Sequence, residues 1–187
     1  MKQSQITLWC HEIIRSQAAE GGFYIDATMG KGNDTLFLCG IAGEAGSVLA
    51  FDIQRQALLY TEDLLKSYGM EQRARLILDG HEHMGNYAKD ETADVICFNF
   101  GYLPGGDHKI ATCADTSIAA VEKGLSILKH GGMMSLCIYS GGDTGFEEKE
   151  VILSYLRKLP SKKFTVIVNE YWNRENHPPV LAFIFKS

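Results

Sequence analysis

The segment 23–36 limits the possible folds of this chain more than any other stretch. An apolar run reaches Asp26, a turn containing Gly30 and Gly32 follows, and an apolar segment with helical spacing begins at Leu36. Glycine allows the positive φ angles and the close backbone approach that such a turn needs. The residues before the helix are common N-cap types: Asn33, Asp34 and Thr35. This segment predicts a strand, a tight loop and a helix start, whose unpaired N–H groups would meet a ligand lying across the loop.

Strands and helices are predicted to alternate along nearly the whole chain. Apolar runs predict seven strands, at 23–27, 47–51, 74–78, 94–98, 133–139, 164–170 and 180–186. Helical spacing predicts helices at 1–20, 33–39, 54–68, 115–128 and 146–159, with Gly131-Gly132 ending the fourth. This alternation is typical of an α/β fold with a mostly parallel sheet and helices on both faces. No helix separates the last two strands, so we expect the final strand to be antiparallel, in one domain spanning 1–187.

Polar segments directly follow the first five predicted strands. They are the loop after Asp26, Asp52, the segment 79–81, the segment 99–107 (N-F-G-Y-L-P-G-G-D) and the segment 139–145. Ligands of parallel sheets bind beyond the carboxyl ends of the strands, where the strand order reverses. The sequence therefore predicts that these segments converge on one ligand-binding edge of the sheet.

The glycine loop departs from the dinucleotide-binding fingerprint. That fingerprint is G-x-G-x-x-G, with an acidic residue about 20 residues later. Here the third glycine is replaced by Thr35, and Asp26 precedes the loop. A carboxylate at that point would repel a pyrophosphate but suits a cationic ligand such as S-adenosylmethionine, which carries an ammonium, a sulfonium and no phosphate.

The same edge supplies partners for the rest of this cofactor. Asp52 is placed to accept both ribose hydroxyls, and the segment 79–81 can flank the adenine. The candidate cofactor-binding residues are Asp26, Thr28, Gly30, Gly32, Asn33, Asp34, Asp52, Gln54, Asp79, Gly80, His81 and Asn99. We expect no metal site, because the pair His81-x-His83 has no further clustered ligands.

Composition narrows the class of protein. The chain has 187 residues, 45% of them hydrophobic, which suits one globular domain with a full core. No apolar stretch is long enough to span a bilayer, and the N-terminus lacks the apolar region of a signal peptide. Five cysteines, without a C-x-x-C pair, indicate reduced thiols and a cytoplasmic location. The net charge of −5 gives no global attraction to nucleic acid, and we expect neither a membrane nor DNA as a partner.

The chain resembles a bacterial family of small Rossmann-like methyltransferases long described as rRNA methylases. The resemblance lies in D-A-T-M-G-x-G-N-D-T, Asp52, D-G-H-E, N-F-G-Y-L-P-G-G-D and the tail N-x-x-x-x-P-P-x-L, and it covers nearly the whole chain. It implies a class I methyltransferase fold, S-adenosylmethionine as donor and, often, a homodimer. It also implies methylation of the aminomethyl group of 5-aminomethyl-2-thiouridine at the wobble position of tRNA, in the anticodon. One departure is the loop 139–145 (Y-S-G-G-D-T-G), which lacks the histidine of the family's G-H-x-G-G loop, so no role of that histidine is transferred.

The segment 99–107 supplies the candidate catalytic residues. Transfer of a methyl group needs a neutral, well-placed nucleophile, so an aliphatic amine must first lose a proton. We assign Asn99 to hydrogen bonding with the donor or the substrate amine, Tyr102 to stacking on the base, and Asp107 to accepting the proton. The alternatives are a strand cap for Asn99 and turn residues for the other two. Methylation at a base carbon would need a cysteine nucleophile, for which Cys97 looks like core and Cys113 is a weak candidate.

Candidate RNA contacts are spread over the chain. Basic residues that could contact phosphates are Lys31, Lys109 and the pairs at 157–158 and 162–163, although charge runs of this kind are often only solvated surface. Tyr171, Trp172 and Arg174 could clamp a base or form a dimer contact. Three functions stay open: an RNA methyltransferase acting on tRNA, an rRNA or small-molecule methyltransferase with the same pocket, and a non-catalytic protein that binds the cofactor or RNA.

Overall fold

The computed structural model describes residues 6–101, 112–140 and 145–187. The helices are α1 (Ile6–Gln17), α2 (Asn33–Ala42), α3 (Arg55–Ser67), α4 (Ala114–Ile127) and α5 (Gly145–Arg157). The strands are β1 (Phe23–Asp26), β2 (Ser47–Asp52), β3 (Ala74–Leu78), β4 (Ala93–Phe100), β5 (Leu128–Ile138), β6 (Phe164–Asn169) and β7 (Val180–Lys186). Two short 3-10 segments, Glu71–Arg73 and His81–Asn86, flank β3.

All seven strands form one sheet, in the order β3-β2-β1-β4-β5-β7-β6. The strands β1 to β5 pair in parallel, whereas β7 lies antiparallel between β5 and β6. This arrangement confirms the predicted α/β class and the antiparallel final strand. The chain moves outward from β1 to β3 and then returns to place β4 on the other side of β1. The strand order therefore reverses between β1 and β4, which is where such sheets bind ligands.

The two faces of the sheet carry separate hydrophobic cores, because side chains of a strand alternate between its faces. Tyr24 of β1 packs with apolar residues of α1, α2 and α3. The next residue, Ile25, packs in the other cluster, with α4 and α5. Both side chains are fully buried. Helices thus cover both faces, as predicted.

The fifth strand starts earlier than predicted. Helix α4 ends at Ile127, and Leu128 already pairs with Ala93 of β4. The register then shifts so that Val95 pairs with Met133, and the residues between bulge out of the ladder. Gly131 lies in this bulge with a φ of 78°, a conformation that favours glycine. The Gly131-Gly132 pair therefore marks a bulge within β5 rather than the end of a helix.

None of the helices in the described part of the chain is long and apolar enough to cross a membrane.

Candidate active site

A cleft of about 1120 Å³ opens over the carboxyl ends of β1 to β5. Residues that follow each of these five strands line it, together with α1 and the segment before β7. The predicted convergence on one edge is therefore confirmed for the described parts of these segments, which include Asn99, Gly101, Tyr139 and Ser140. Of the twelve candidate cofactor residues, ten line the cleft: Thr28, Gly30, Asn33, Asp34, Asp52, Gln54, Asp79, Gly80, His81 and Asn99.

The glycine loop is tied to the end of β2 and to α3. Met29 N donates to the Phe51 carbonyl at 2.8 Å, and Gly30 N donates to Asp52 Oδ2 at 2.9 Å. Gly32, with a φ of 79°, is the N-cap of α2, and a Cβ there would lie 2.6 Å from Thr61 Oγ1. No side chain caps the helix, so Asn33 to Thr35 form its first turn instead of the cap. Glycine is required here by both conformation and space.

Asp26 lies beneath the cleft and does not line it, and the same holds for Gly32. The Asp26 carboxylate is fully buried and accepts hydrogen bonds from Thr28 N at 3.1 Å and from Thr35 Oγ1 at 2.6 Å. Burial, and then the nearby charge of Asp34, raises the pKa of Asp26 to about 7. The Asp26 carboxylate thus bonds to the glycine loop and to the first turn of α2, and its role in cofactor binding stays a prediction.

Asp52 is held by the backbone on both sides of its carboxylate. Its Oδ1 accepts from Gln54 N at 2.8 Å, and its Oδ2 accepts from Gly30 N. A carboxylate offers about four lone-pair directions, so each oxygen can still accept one ligand hydroxyl. Ile53, which lies between Asp52 and Gln54 in the sequence, is 60% exposed and lines the cleft. This wall combines an oriented carboxylate with an apolar surface.

The segment after β3 forms the next part of the wall. Asp79 accepts hydrogen bonds from Gly80 N and Tyr87 Oη, both at 2.8 Å, and lies 2.7 Å from His83 Nδ1. The hydrogen bond to His83 is the main cause that lowers the pKa of Asp79. His81 instead makes edge contacts with two phenylalanines of β4, and burial lowers its pKa. His81 is therefore a neutral ring on the cleft wall.

The two histidines thus have separate environments. Within the described ranges, no cluster of three or more His, Cys, Asp or Glu side chains could hold a metal ion.

Asn99 lies within β4, which extends to Phe100, and not in a loop after it. Its backbone N donates to Thr28 Oγ1 at 2.7 Å, and its Nδ2 donates to Asp34 Oδ2 at 2.6 Å. The other oxygen of Asp34, Oδ1, lies 2.7 Å from His11 Nε2. These contacts link α1, the glycine loop and β4 at the point where the strand order reverses.

The sequence did not predict a role for His11. Its contact with Asp34 spans 23 residues of sequence and depends on how α1 packs across the glycine loop. A histidine within an otherwise amphipathic helix carries no local signal of such a contact.

Tyr102, Asp107 and Lys109 lie outside the described residues, but the two ends of their segment are described. Thr112 N donates to the Gly101 carbonyl at 3.1 Å, and Gly101 N donates to Thr112 Oγ1 at 2.8 Å. Glu148 of α5 accepts from Thr112 Oγ1 at 2.9 Å and from Ser117 Oγ at 2.6 Å. Burial raises the pKa of Glu148. This buried carboxylate, which the sequence did not single out, fixes Thr112, which in turn bonds to Gly101.

Some of the candidate cysteine nucleophiles and candidate RNA contacts line the cleft, and others lie elsewhere in the molecule. Cys97 is buried in the core, whereas Cys113 is exposed and lines the cleft. Lys31 also lines the cleft, but the basic pairs at 157–158 and 162–163 are exposed away from it. Trp172 is 96% exposed.

The segment before β7 forms part of the rim. Asn176 and His177, with φ angles of 63° and 50°, both line the cleft. Nearby in sequence, the Arg174 guanidinium lies 4.0 Å from the centroid of the Tyr171 ring. Two consecutive residues other than glycine in this conformation are uncommon.

Comparisons with known proteins agree with this architecture. A family model described as "Putative rRNA methylase" matches residues 48–185, which is more than half of the chain. A curated relative from Arabidopsis thaliana, named tRNA (mnm(5)s(2)U34)-methyltransferase, chloroplastic, is 35% identical over 185 residues. That alignment covers 94% of this chain and 67% of the relative.

Two solved structures are similar over full length. A "putative rRNA-methylase" from Clostridium thermocellum is 41% identical, covers 100% of both chains and has a TM-score of 0.96. A "putative methyltransferase" from Streptococcus mutans, in complex with SAH, is 34% identical, also covers 100% of both chains and has a TM-score of 0.88. The matched family model, these relatives and the reversal of strand order beneath the cleft lead to one conclusion: the chain belongs to the rRNA methylase family and has its class I methyltransferase fold.

Proposed function

We propose that this protein is an S-adenosylmethionine-dependent RNA methyltransferase that methylates the aminomethyl group of 5-aminomethyl-2-thiouridine at the wobble position of tRNA. One observation carries the proposal. A single cleft holds Asp52, whose carboxylate is fixed by Gly30 N, and Asn99, whose amide is fixed by Asp34, on the two sides of the point where the strand order reverses. The name of the Arabidopsis relative supports the choice of tRNA.

The cleft fits S-adenosylmethionine better than a dinucleotide. In a dinucleotide site, backbone N–H groups of the glycine loop face the pyrophosphate. Here Gly30 N donates to Asp52 instead, and it is therefore already engaged. The remaining lone pairs of Asp52 suit two ribose hydroxyls, while Ile53 and the neutral ring of His81 suit an uncharged base. The similar Streptococcus mutans protein, which is in complex with SAH, supports this cofactor.

When bound, S-adenosylmethionine supplies an electrophilic methyl group on a sulfonium. The residues of this chain must then orient a neutral amine and accept its proton. We assign the amine contact to Asn99, which lines the cleft and is fixed by Asp34. Stacking by Tyr102 and proton acceptance by Asp107 stay predictions. General-base help of this kind typically accelerates a reaction by about 10²–10⁴-fold.

An rRNA substrate for the same cleft is the second candidate. The name of the matched family and that of the Clostridium thermocellum protein favour it. The homodimer, the anticodon contact and the cytoplasmic location also stay predictions.

Nucleoside mass spectrometry of tRNA from a strain that lacks the gene tests the proposal. We expect 5-methylaminomethyl-2-thiouridine to disappear and its aminomethyl precursor to accumulate. The wild-type gene and a control with Glu44→Ala, an exposed acidic side chain that does not line the cleft, should restore the modification, whereas Asp52→Ala should not. A normal modification level in the deletion strain, with no redundant enzyme present, would overturn the tRNA assignment. Loss of a methylated nucleoside from rRNA would favour the second candidate.

A further inference from the structure

A chain of three side chains connects α1 to the floor of the cleft. His11 Nε2 lies 2.7 Å from Asp34 Oδ1, and Asn99 Nδ2 lies 2.6 Å from Asp34 Oδ2. All three residues line the cleft, and the side chains of His11 and Asp34 are only 17% and 18% exposed. The His11–Asp34–Asn99 chain therefore faces the space that the cofactor and the substrate would share.

The chemistry of Asp34 determines the orientation of both neighbours. An ionised carboxylate accepts hydrogen bonds and donates none. Asp34 lies in the first turn of α2, where the helix dipole favours a negative charge. Asn99 must then turn its NH₂ group toward Asp34, and His11 must carry a proton on Nε2. Because the NH₂ group of Asn99 points toward Asp34, the amide oxygen of Asn99 is turned away from Asp34.

The His11 ring is fixed in two independent ways. It stacks on Phe37 of α2, with the ring centroids 3.7 Å apart and the planes 3° from parallel. Stacking sets the plane of the ring, and the hydrogen bond to Asp34 sets its rotation within that plane. A ring held in this way fixes Asp34 Oδ1, and Asp34 in turn fixes the amide of Asn99.

We propose that His11 is a positioning residue for methyl transfer: acting through Asp34, it holds the Asn99 amide oxygen as the hydrogen-bond acceptor of the cleft. The role in methyl transfer rests on the proposed function. The site then favours a nucleophile that donates a hydrogen bond, such as the N–H of a neutral amine. Misplacement of a catalytic contact by about 1 Å can lower a rate by about 10²-fold, so loss of His11 should be visible in kcat.

Three substitutions of His11 in the full-length protein separate this role from a general packing role. The side-chain nitrogen of Gln reaches about as far as Nε2 of histidine, whereas that of Asn reaches about as far as Nδ1. We expect His11→Ala and His11→Asn to lower kcat by about ten- to hundredfold, and His11→Gln to stay within about threefold of wild type. The affinity for S-adenosylmethionine, measured by calorimetry, should fall much less than kcat in His11→Ala and His11→Asn, because the ribose contacts assigned to Asp52 are untouched.

A second measurement does not depend on the substrate. Nitrogen-15 NMR should show His11 protonated on Nε2 and a hydrogen-bonded Asn99 side-chain amide. The Asn99 signals should shift in His11→Ala and return toward their wild-type positions in His11→Gln. If the wild-type enzyme fails to methylate tRNA, the proposed function fails, and this comparison still decides whether His11 orients Asn99.

Several outcomes would overturn the inference. They are equal losses of kcat in the Gln and Asn variants, a parallel loss of kcat and cofactor affinity, and Asn99 amide signals that do not change in His11→Ala.

Discussion

Asp52 has both carboxylate oxygens engaged by backbone N–H groups, one from Gly30 and one from Gln54. These bonds orient the carboxylate without using all of its lone pairs, so two ligand hydroxyls can still be accepted. We expect Asp52→Ala to weaken S-adenosylmethionine binding by about 1.5–3 kcal/mol for each charge-assisted hydrogen bond lost. Calorimetry checks this, and thermal unfolding of the variant serves as a control for folding. An unchanged dissociation constant would contradict the ribose assignment.

Asp26 gives a prediction about pH. Its pKa rises to about 7 in the folded protein, from an ordinary value of 3.8, mainly because it is buried. Between these values the folded state keeps a proton that the unfolded state has lost. The stability contribution is therefore present in acid and is lost as the pH rises to about 7. The test compares the unfolding free energies of wild type and Asp26→Asn at each pH. We expect the value for wild type minus the value for the variant to fall by roughly 2–4 kcal/mol between pH 4 and pH 8.

Asparagine is a suitable replacement at position 26. It can still accept from Thr28 N, and its NH₂ group can donate to Thr35 Oγ1, so both local contacts persist. Denaturant titrations of the two proteins at several pH values give the difference directly. A difference that is constant over this range would show that Asp26 does not titrate there.

Single residues show where sequence reasoning reaches its limit. Asp52 and Gly30 were predictable because Asp52 lies at the end of a buried strand and Gly30 lies in the turn that follows another. His11 and Glu148 were missed because their partners lie 23 and more residues away, on elements whose packing the local pattern does not encode. Asp26 was expected to suit a cationic ligand, but its carboxylate is buried and accepts a hydrogen bond from Thr35 in the first turn of α2, a local bond that the pattern did not indicate.

At the scale of elements, Glu148 joins α5 to α4 and to the base of the segment 101–112. Glu148→Ala would leave the buried hydroxyl of Ser117 and the half-buried hydroxyl of Thr112 without this acceptor. An unsatisfied buried polar group costs about 1–3 kcal/mol, so we expect a loss of about 2–4 kcal/mol in unfolding free energy. Glu148→Gln keeps one acceptor oxygen and should lose less than half of that. Urea denaturation measures the unfolding free energy of both variants. Equal stability of Glu148→Ala and wild type would show that the Glu148 hydrogen bonds to Ser117 and Thr112 do not stabilise the fold.

The end of α3 was predictable from the local pattern, whereas some strand ends were not. The helix predicted at 54–68 ends at Ser67, and Gly69 follows with a φ of 65° while Met70 N donates back to the Leu65 carbonyl at 2.9 Å. This end was predictable because glycine favours the left-handed backbone conformation that commonly follows the last turn of a helix. The early start of β5 and the extension of β4 to Phe100 were not predicted, because pairing with a neighbouring strand decides where a strand ends.

At the scale of the whole molecule, the alternation of helices and strands was enough to predict the class of the fold. It also predicted that one edge of the sheet would collect the polar segments. The sequence pattern alone did not give the order β3-β2-β1-β4-β5-β7-β6, because it does not say which strands are neighbours. That order brings Asp52 and Asn99 into the same cleft, and so it determines which ligand groups can meet there.

We propose that this cleft transfers a methyl group from S-adenosylmethionine to a wobble uridine of tRNA. In the most direct test of this proposal, the purified protein is incubated with S-adenosylmethionine and with tRNA that carries 5-aminomethyl-2-thiouridine. The nucleosides of the tRNA are then analysed by mass spectrometry. We expect conversion to the methylaminomethyl nucleoside, with one methyl group added per wobble uridine, and no conversion by Asn99→Ala protein that still binds the cofactor. If wild-type protein binds S-adenosylmethionine but leaves the aminomethyl nucleoside unmethylated, the proposed reaction is contradicted.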